Sequence, residues 1–446
     1  MPVEQYRDLL SDLGVDVDRH AMMMNKAYEA YKKEFFSQPN RPKAMEYFDW
    51  FMSEIQGKRI AEINEIRKQN KPAIGTFCIF VPEEIVVGAG GACYGLCGGS
   101  NATIPDAETE LPRNICPLIK SAHGFKLQRT CAYTQSSDFI YGETTCEAKK
   151  KTWEILNKHH PVHVMEIPHM KRKKDLDVWR DEIKSFKEHI ESIIGREITF
   201  EEIKKGIEII NEKRKALQRL DYLRSKNPDI IPISGKDALF VIQVGFMDDP
   251  IRYTQKVNEL CDELEERIEK GISVFPKGTP RLMVLGTPFA IPNWKLHSVV
   301  ETTGGAIVNE ESCIGHRYFK DNVDLENVNN SQDAIDALLN RYSKVDCACF
   351  TPNQPRIDKI LKMYKEKQID GVIYYTLSFC HTYNVESYLV KEALEKEGIP
   401  CLQIESDYSP EDVGQIKTRV EAFLESLTFK KKAEEFKNKA SDVLGS

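Results

Sequence analysis

The sequence predicts an α/β protein with two doubly wound parallel-sheet domains facing a central cleft, plus N-terminal and linking helical segments. Three observations carry this. An apolar strand followed by a helix-starting turn begins at Ala73, a second strand–helix alternation begins at Arg281, and a long charged stretch with helical punctuation lies between them. The expected segments are an N-terminal helical segment over 1–70, a first α/β domain over 71–174, a helical linker region over 175–275, a second α/β domain over 276–427, and a tail over 428–446.

Each element has a local reason. In residues 1–70 apolar positions recur at three- and four-residue spacing, as in Tyr47, Phe48, Trp50, Phe51 and Ile55, until Pro72 ends the pattern. Ala73 to Val81 then reads as a buried strand, and Pro82-Glu83-Glu84 suits a helix's first turn, because proline lacks the amide proton and carboxylates favour the positive end. Gly88, Gly90 and Gly91 follow that helix, so they read as its stop and not as a phosphate cradle. Strands are expected at Asp138 to Gly142 and Val162 to Ile167, with a helix over Cys146 to His159 between them. From Asp175 to about Asn227 the chain reads as helical, with Gly195 ending one helix and Thr199 to Glu202 forming a capping box for the next. Further strands are expected at Arg281 to Pro288, Gly305 to Val308 and Gly371 to Leu377, with helices at Ser331 to Tyr342 and Asn384 to Glu397. The lysine-rich Thr428 to Ser446 reads as a frayed or solvated tail.

Composition narrows the function. With 62 basic and 69 acidic residues in 446 the net charge is −7, which gives no cationic field for nucleic acid. No run of about 18 apolar residues appears, and charges punctuate Met1 to Asp12, so a soluble, cytoplasmic chain without membrane association is expected. No Walker A sequence occurs, so the chain is not expected to hydrolyse ATP itself.

The twelve cysteines are the strongest chemical signal, since cytosolic thiols are kept reduced and serve more often as ligands or catalytic groups than as disulfides. Cys78, Cys93, Cys97, Cys116, Cys131 and Cys146 crowd one stretch in which an even spread would place about two. No Cys-x-x-Cys pair exists, so any metal site must be assembled from distant loops. The alternative is that they are small buried hydrophobes. Ligands of open parallel sheets sit beyond the carboxyl ends of the strands, where Cys146, Cys313 and Cys380 are expected to converge. Cys146 and Cys380 also fall near expected helix N-termini, which favour thiolate.

At these residues the sequence resembles a known family. Thr144-Thr-Cys-Glu-Ala-Lys-Lys-Lys151 after Gly142-Glu143, Leu111-Pro-Arg-Asn-Ile-Cys-Pro-Leu-Ile-Lys120, and Phe379-Cys-His-Thr-Tyr-Asn-Val-Glu386 are similar to motifs of the 2-hydroxyacyl-CoA dehydratase and benzoyl-CoA reductase component family. The resemblance spans about residues 70 to 425. It implies an iron-sulfur cluster held by three cysteines between two α/β domains, here Cys116, Cys146 and Cys380, with electrons supplied by a separate ATP-hydrolysing activator. The surplus of Cys97, Cys131 and Cys313 resembles the double-cubane branch, in which two cubanes share a bridging sulfide; Cys78 and Cys347 are substitutes for Cys313. The resemblance therefore implies an 8Fe-9S cluster, with a single 4Fe-4S cluster as the alternative. It also implies an anaerobic oxidoreductase acting on a small molecule, in a homodimer. A dehydratase component with one cubane is the runner-up, and a non-catalytic cluster carrier or maturation protein is the reading from another class.

Around these cysteines, His381 follows Cys380 and His316 follows Cys313, and both are candidate proton donors beside a cluster; His123 is a weaker one. Glu143 and Glu386 are candidates to orient ligands or protons. His159, His160 and His163 do not share a face and read as a solvated loop. Lys171 to Lys174 and Lys149 to Lys151 read either as exposed charge or as contacts, to an acidic partner and to a cluster respectively.

Overall fold

The structure is a computed structural model describing residues 3–444, with side chains described to residue 433. The N-terminal region is helical, as its periodicity predicts: Arg7–Asp12, Val17–Phe35, Met45–Glu54 and Lys58–Lys68. The second of these starts where the Asp16 side chain accepts the Arg19 amide.

Two four-stranded parallel sheets follow. The first has β1 (Ala73–Thr76), β2 (Ala92–Gly95), β3 (Phe139–Glu143) and β4 (Val162–Met165), in the order β2-β1-β3-β4. The second has β5 (Arg281–Gly286), β6 (Ala306–Glu311), β7 (Gly371–Leu377) and β8 (Cys401–Ser406), in the order β6-β5-β7-β8. The two orders are the same, so each sheet reverses direction of growth beside its central strands, which opens a crevice at the strand ends. β1, β5, β6 and β7 are buried along their whole length, as parallel strands covered by helices must be.

The linking helices form where their punctuation predicts. Lys173–Ile194 ends at Gly195 in the left-handed region, and Phe200–Ser225 starts at a capping box in which Thr199 and Glu202 exchange hydrogen bonds. The helix Phe200–Ser225 crosses the short helix Glu83–Gly88 at close range: a Cβ on Gly206 would stand 1.9 Å from the Glu84 carbonyl oxygen, and one on Gly88 2.2 Å from that of Glu202. Gly88 is thus a crossing point as well as a helix end. The same junction holds a fully buried ion pair, Arg214 to Glu84 at 2.6 Å, with the Tyr342 hydroxyl donating to the other Glu84 oxygen.

Three features differ from the expectation. The apolar run from Ala73 leaves the sheet after Thr76, and Phe77 to Val81 turn away across the strand ends. β2 and β8 carry no strong signal, because one is four residues ending in glycine and the other is half-exposed. Residues 428–446, expected as a frayed or solvated tail, continue the helix Val413–Leu444, with Thr428 to Ala433 exposed and residues 445–446 outside the described part. Among the described residues no helix is long and apolar enough to cross a membrane.

Candidate functional site

The carboxyl ends of both sheets line one cavity of about 250 Å³. The chain leaving β1 supplies Cys78, that leaving β3 supplies Cys146, β6 leads to Cys313, and β7 leads to Cys380. Cys116, Cys347 and Cys349 enter from loops between elements. Three of these cysteines are helix N-caps: Cys116 for Pro117–Leu127, Cys146 for Glu147–Leu156 and Cys380 for His381–Lys396. Backbone amides and the positive helix end therefore face the sulfur atoms. Phe379 takes a positive φ of 61° to turn the chain into the last of these caps.

The thiols fall into two groups. Cys116 faces Cys380 and Cys146, while Cys78, Cys313 and Cys347 face one another and Cys349 lies beside Cys347 and Cys78. In each group one thiol is shifted downward by its neighbours. The Cys380 thiol and the amides of Leu118 and Ile119 pull Cys116 below the usual thiol range, overcoming burial. Cys347 is lowered by the Cys349 thiol, by Arg317 and by the Tyr383 hydroxyl, which lies 3.4 Å from its sulfur. Burial pushes Cys78, Cys146 and Cys313 up, the last to about 11, while Cys349 and Cys380 are raised first by the Cys347 and Cys116 thiols and then by burial.

Two buried cations face these thiols. Lys149 reaches into the cavity with its ammonium 3.3 Å from Glu143, and burial works against its charge while Glu143 and the Cys78, Cys97 and Cys146 thiols hold its pKa well above normal. Glu143 itself is pushed up by burial, opposed by Lys149. Arg317 donates to Glu311 at 2.7 Å, to the Gly286 carbonyl at 3.2 Å and to the Tyr383 hydroxyl. Behind it, Arg356 binds Glu311 and also Glu386, which Asn353 holds at 2.8 Å.

Of the expected site residues, Cys116, Cys146, Cys313, Cys380 and His381 line this cavity. His381 is exposed at its rim. Cys97 lies in an adjoining smaller cavity that shares Cys78 and Cys313, and its thiol bonds the Phe77 carbonyl at 3.2 Å. Cys131 is not among the lining residues of either cavity. It caps the helix Ala132–Ser136, where the Thr134 hydroxyl and amide and the Lys126 ammonium face it and partly offset the upward push of burial. His316 is also outside the cavity, with Nδ1 3.4 Å from Asp221, a carboxylate shared with Lys367 at 2.6 Å. Cys78 and Cys347, which the resemblance gives only as substitutes, are both in the cavity, and Cys349, Lys149, Arg317 and Tyr383 complete it. Cys347 and Cys349 carry no motif, and their place depends on a loop between helices that only packing positions. Of the basic runs, Lys150 and Lys151 pair with Glu147 and Glu154 on the outer face, and Lys171 is tied to Asp346 at 2.7 Å.

A pair of parallel-sheet domains whose strand ends surround a thiol-lined cavity is an α/β arrangement whose donor atoms suit a soft metal. The chain belongs to the 2-hydroxyglutaryl-CoA dehydratase, D-component, family, whose model it matches over residues 78–427. It is 35% identical over 383 residues to the "Putative dehydratase subunit YjiM" of Escherichia coli, covering 85% of this chain and 97% of that one. It is 25% identical over 389 residues to the (R)-phenyllactyl-CoA dehydratase beta subunit of Clostridium sporogenes, covering 85% and 98%. A benzoyl-CoA reductase subunit of Thauera aromatica is 20% identical over 364 residues, covering 80% and 91%. These matches bear out the family resemblance read from the motifs around Cys116, Cys146 and Cys380. The relatives are named as subunits of multi-component enzymes.

Proposed function

We propose that the chain is an iron-sulfur enzyme component of the double-cubane type, which receives low-potential electrons from an ATP-hydrolysing activator and reduces a small molecule in the thiol cavity. One observation carries the reading: Cys78, Cys116, Cys146, Cys313, Cys347, Cys349 and Cys380, from distant parts of the chain, line a single cavity together with Lys149 and Arg317. Soft thiolates suit iron, and a buried thiolate-held cluster supplies electrons at low potential.

The donor set favours Cys116, Cys146 and Cys380 for one half and Cys78, Cys313 and Cys347 for the other, in place of Cys97 and Cys131. Lys149 and Arg317 offset the negative charge that six thiolates bring. The Tyr383 hydroxyl inside the cavity and the His381 imidazole at its rim are placed to hold and deliver protons. The activator, a second copy of the chain as homodimer partner, and a cytoplasmic setting belong to this proposal.

The similarity to dehydratase subunits favours a second reading, a 2-hydroxyacyl-CoA dehydratase component with one cubane on Cys116, Cys146 and Cys380 and a partner subunit of different sequence. Iron and acid-labile sulfide on anaerobically purified protein separate the two. About eight irons per chain, falling in Cys78→Ala, Cys313→Ala and Cys347→Ala but not in Cys131→Ala, is expected for the first reading. About four irons, unaffected by those three substitutions, would overturn it in favour of the second.

A further inference from the structure

A cluster of metal-ligating side chains lies apart from the thiol cavity. Glu110 sits in the turn after the helix Ile104–Ala107, His123 on the helix Pro117–Leu127, and His159 three residues beyond the helix Glu147–Leu156. Their ligand atoms fall within 4.8 Å of one another. His123 Nε2 is 2.8 Å from one Glu110 oxygen, and His159 Nε2 is 3.0 Å from both. The His123 side chain is fully buried, while Glu110 and His159 are each about a third exposed. The donor set is two imidazoles and a carboxylate.

We propose that Glu110, His123 and His159 bind a divalent transition metal of zinc type, with a fourth position open to water. Two imidazoles and a carboxylate are a donor set that zinc accepts in sites retaining an open position. Bonds of 2.0–2.1 Å in tetrahedral geometry separate ligand atoms by about 3.3 Å, so each carboxylate–imidazole distance must open by a few tenths of an ångström. The exposed turns carrying Glu110 and His159 allow that movement, while the buried His123 anchors the site. The position gives the ion a consequence. Cys116 and Cys146 cap the N-termini of the same two helices that His123 and His159 tie together further along, so a bound ion clamps the supports of two cavity thiols.

The test uses the full chain, purified anaerobically with the iron it carries, titrated with Co²⁺ and then with Zn²⁺. One Co²⁺ per chain is expected, with weak visible bands of nitrogen and oxygen coordination, no intense near-ultraviolet thiolate-to-cobalt absorption, and displacement by Zn²⁺. His159→Ala and Glu110→Gln, both at exposed positions, are each expected to weaken binding roughly tenfold or more, the scale found even for outer partners of metal ligands. Before any metal is added, iron content and thermal denaturation should stay at the wild-type values in both, and added Zn²⁺ should raise the denaturation midpoint of the wild type more than that of either variant. Absence of binding, binding that survives both substitutions, or a spectrum dominated by thiolate absorption would overturn the proposal. Because iron content is read separately, failure here leaves the iron-sulfur reading standing, and the reverse.

Discussion

Lys149 is the most informative residue to perturb, because it joins the sequence motif after Cys146 to the charge balance of the cavity. Its ammonium is the cation beside Glu143, whose side chain is fully buried. Lys149→Met keeps the length of the side chain and its packing over Trp153 but removes the charge. Breaking a buried pair from one side costs about 3–5 kcal/mol, because the remaining charge is left uncompensated. Lys149 is 13% exposed and borders a cavity that admits water, which places the expected loss near the lower end, about 3 kcal/mol. An unfolding entropy of about 2.1 cal/mol/K per residue gives about 0.9 kcal/mol/K for a chain of this length, so the melting midpoint should fall by about 3 °C if the chain unfolds as a unit. The assay is scanning calorimetry of cofactor-free protein, run alongside the double variant Lys149→Met with Glu143→Gln. Replacing both partners removes the stranded charge, so the double variant should recover more than half of the loss. A single variant as stable as wild type, or a double variant no better than the single, would refute the reasoning. With iron bound, Lys149→Met should also lower iron retention, read as iron per chain after gel filtration.

Two further outcomes follow from other parts of the molecule. Gly206→Ala forces a methyl group against the Glu84 carbonyl where two helices cross, so about 3 kcal/mol should be lost in urea denaturation, whereas Ala at Gly195, which has open space beside its Cβ, should show only the cost of a left-handed alanine. Acidification should destabilise the fold: burial, reinforced by Lys126, lowers the His160 pKa to about 4, so between pH 6.5 and 4 the unfolded chain takes up a proton that the folded chain does not. Stability therefore rises with pH across that window, and His160→Asn should flatten the slope of midpoint against pH; an unchanged slope would show that other groups set it.

Much of the fold is legible in the sequence because its signals are local. The capping box at Thr199, the left-handed stop at Gly195 and the strand Gly371 to Leu377 depend on side chains and backbone within a few residues, and they form where the local pattern predicts. The family motifs around Cys116, Cys146 and Cys380 are legible for the same reason, since each motif sits at the end of an element that its own residues start. β2 is not legible, because four residues ending in glycine leave no periodicity to read.

The remaining half of the site is decided by tertiary packing. Cys78 looks in sequence like part of a strand, yet the chain leaves the sheet at Thr76 and turns it into the cavity. Cys131 resembles its neighbours in sequence but caps a helix beside Lys126 and Tyr133, outside the cavity. Glu110, His123 and His159 carry no common motif, and they meet only because the helices Pro117–Leu127 and Glu147–Leu156 pack side by side. Composition and local pattern set which thiols, imidazoles and carboxylates exist and which helices they begin. Which of them share a cavity depends on where two sheets and their crossing helices come to rest, because burial and distances of a few ångströms between residues far apart in the chain are set by packing and not by any local preference.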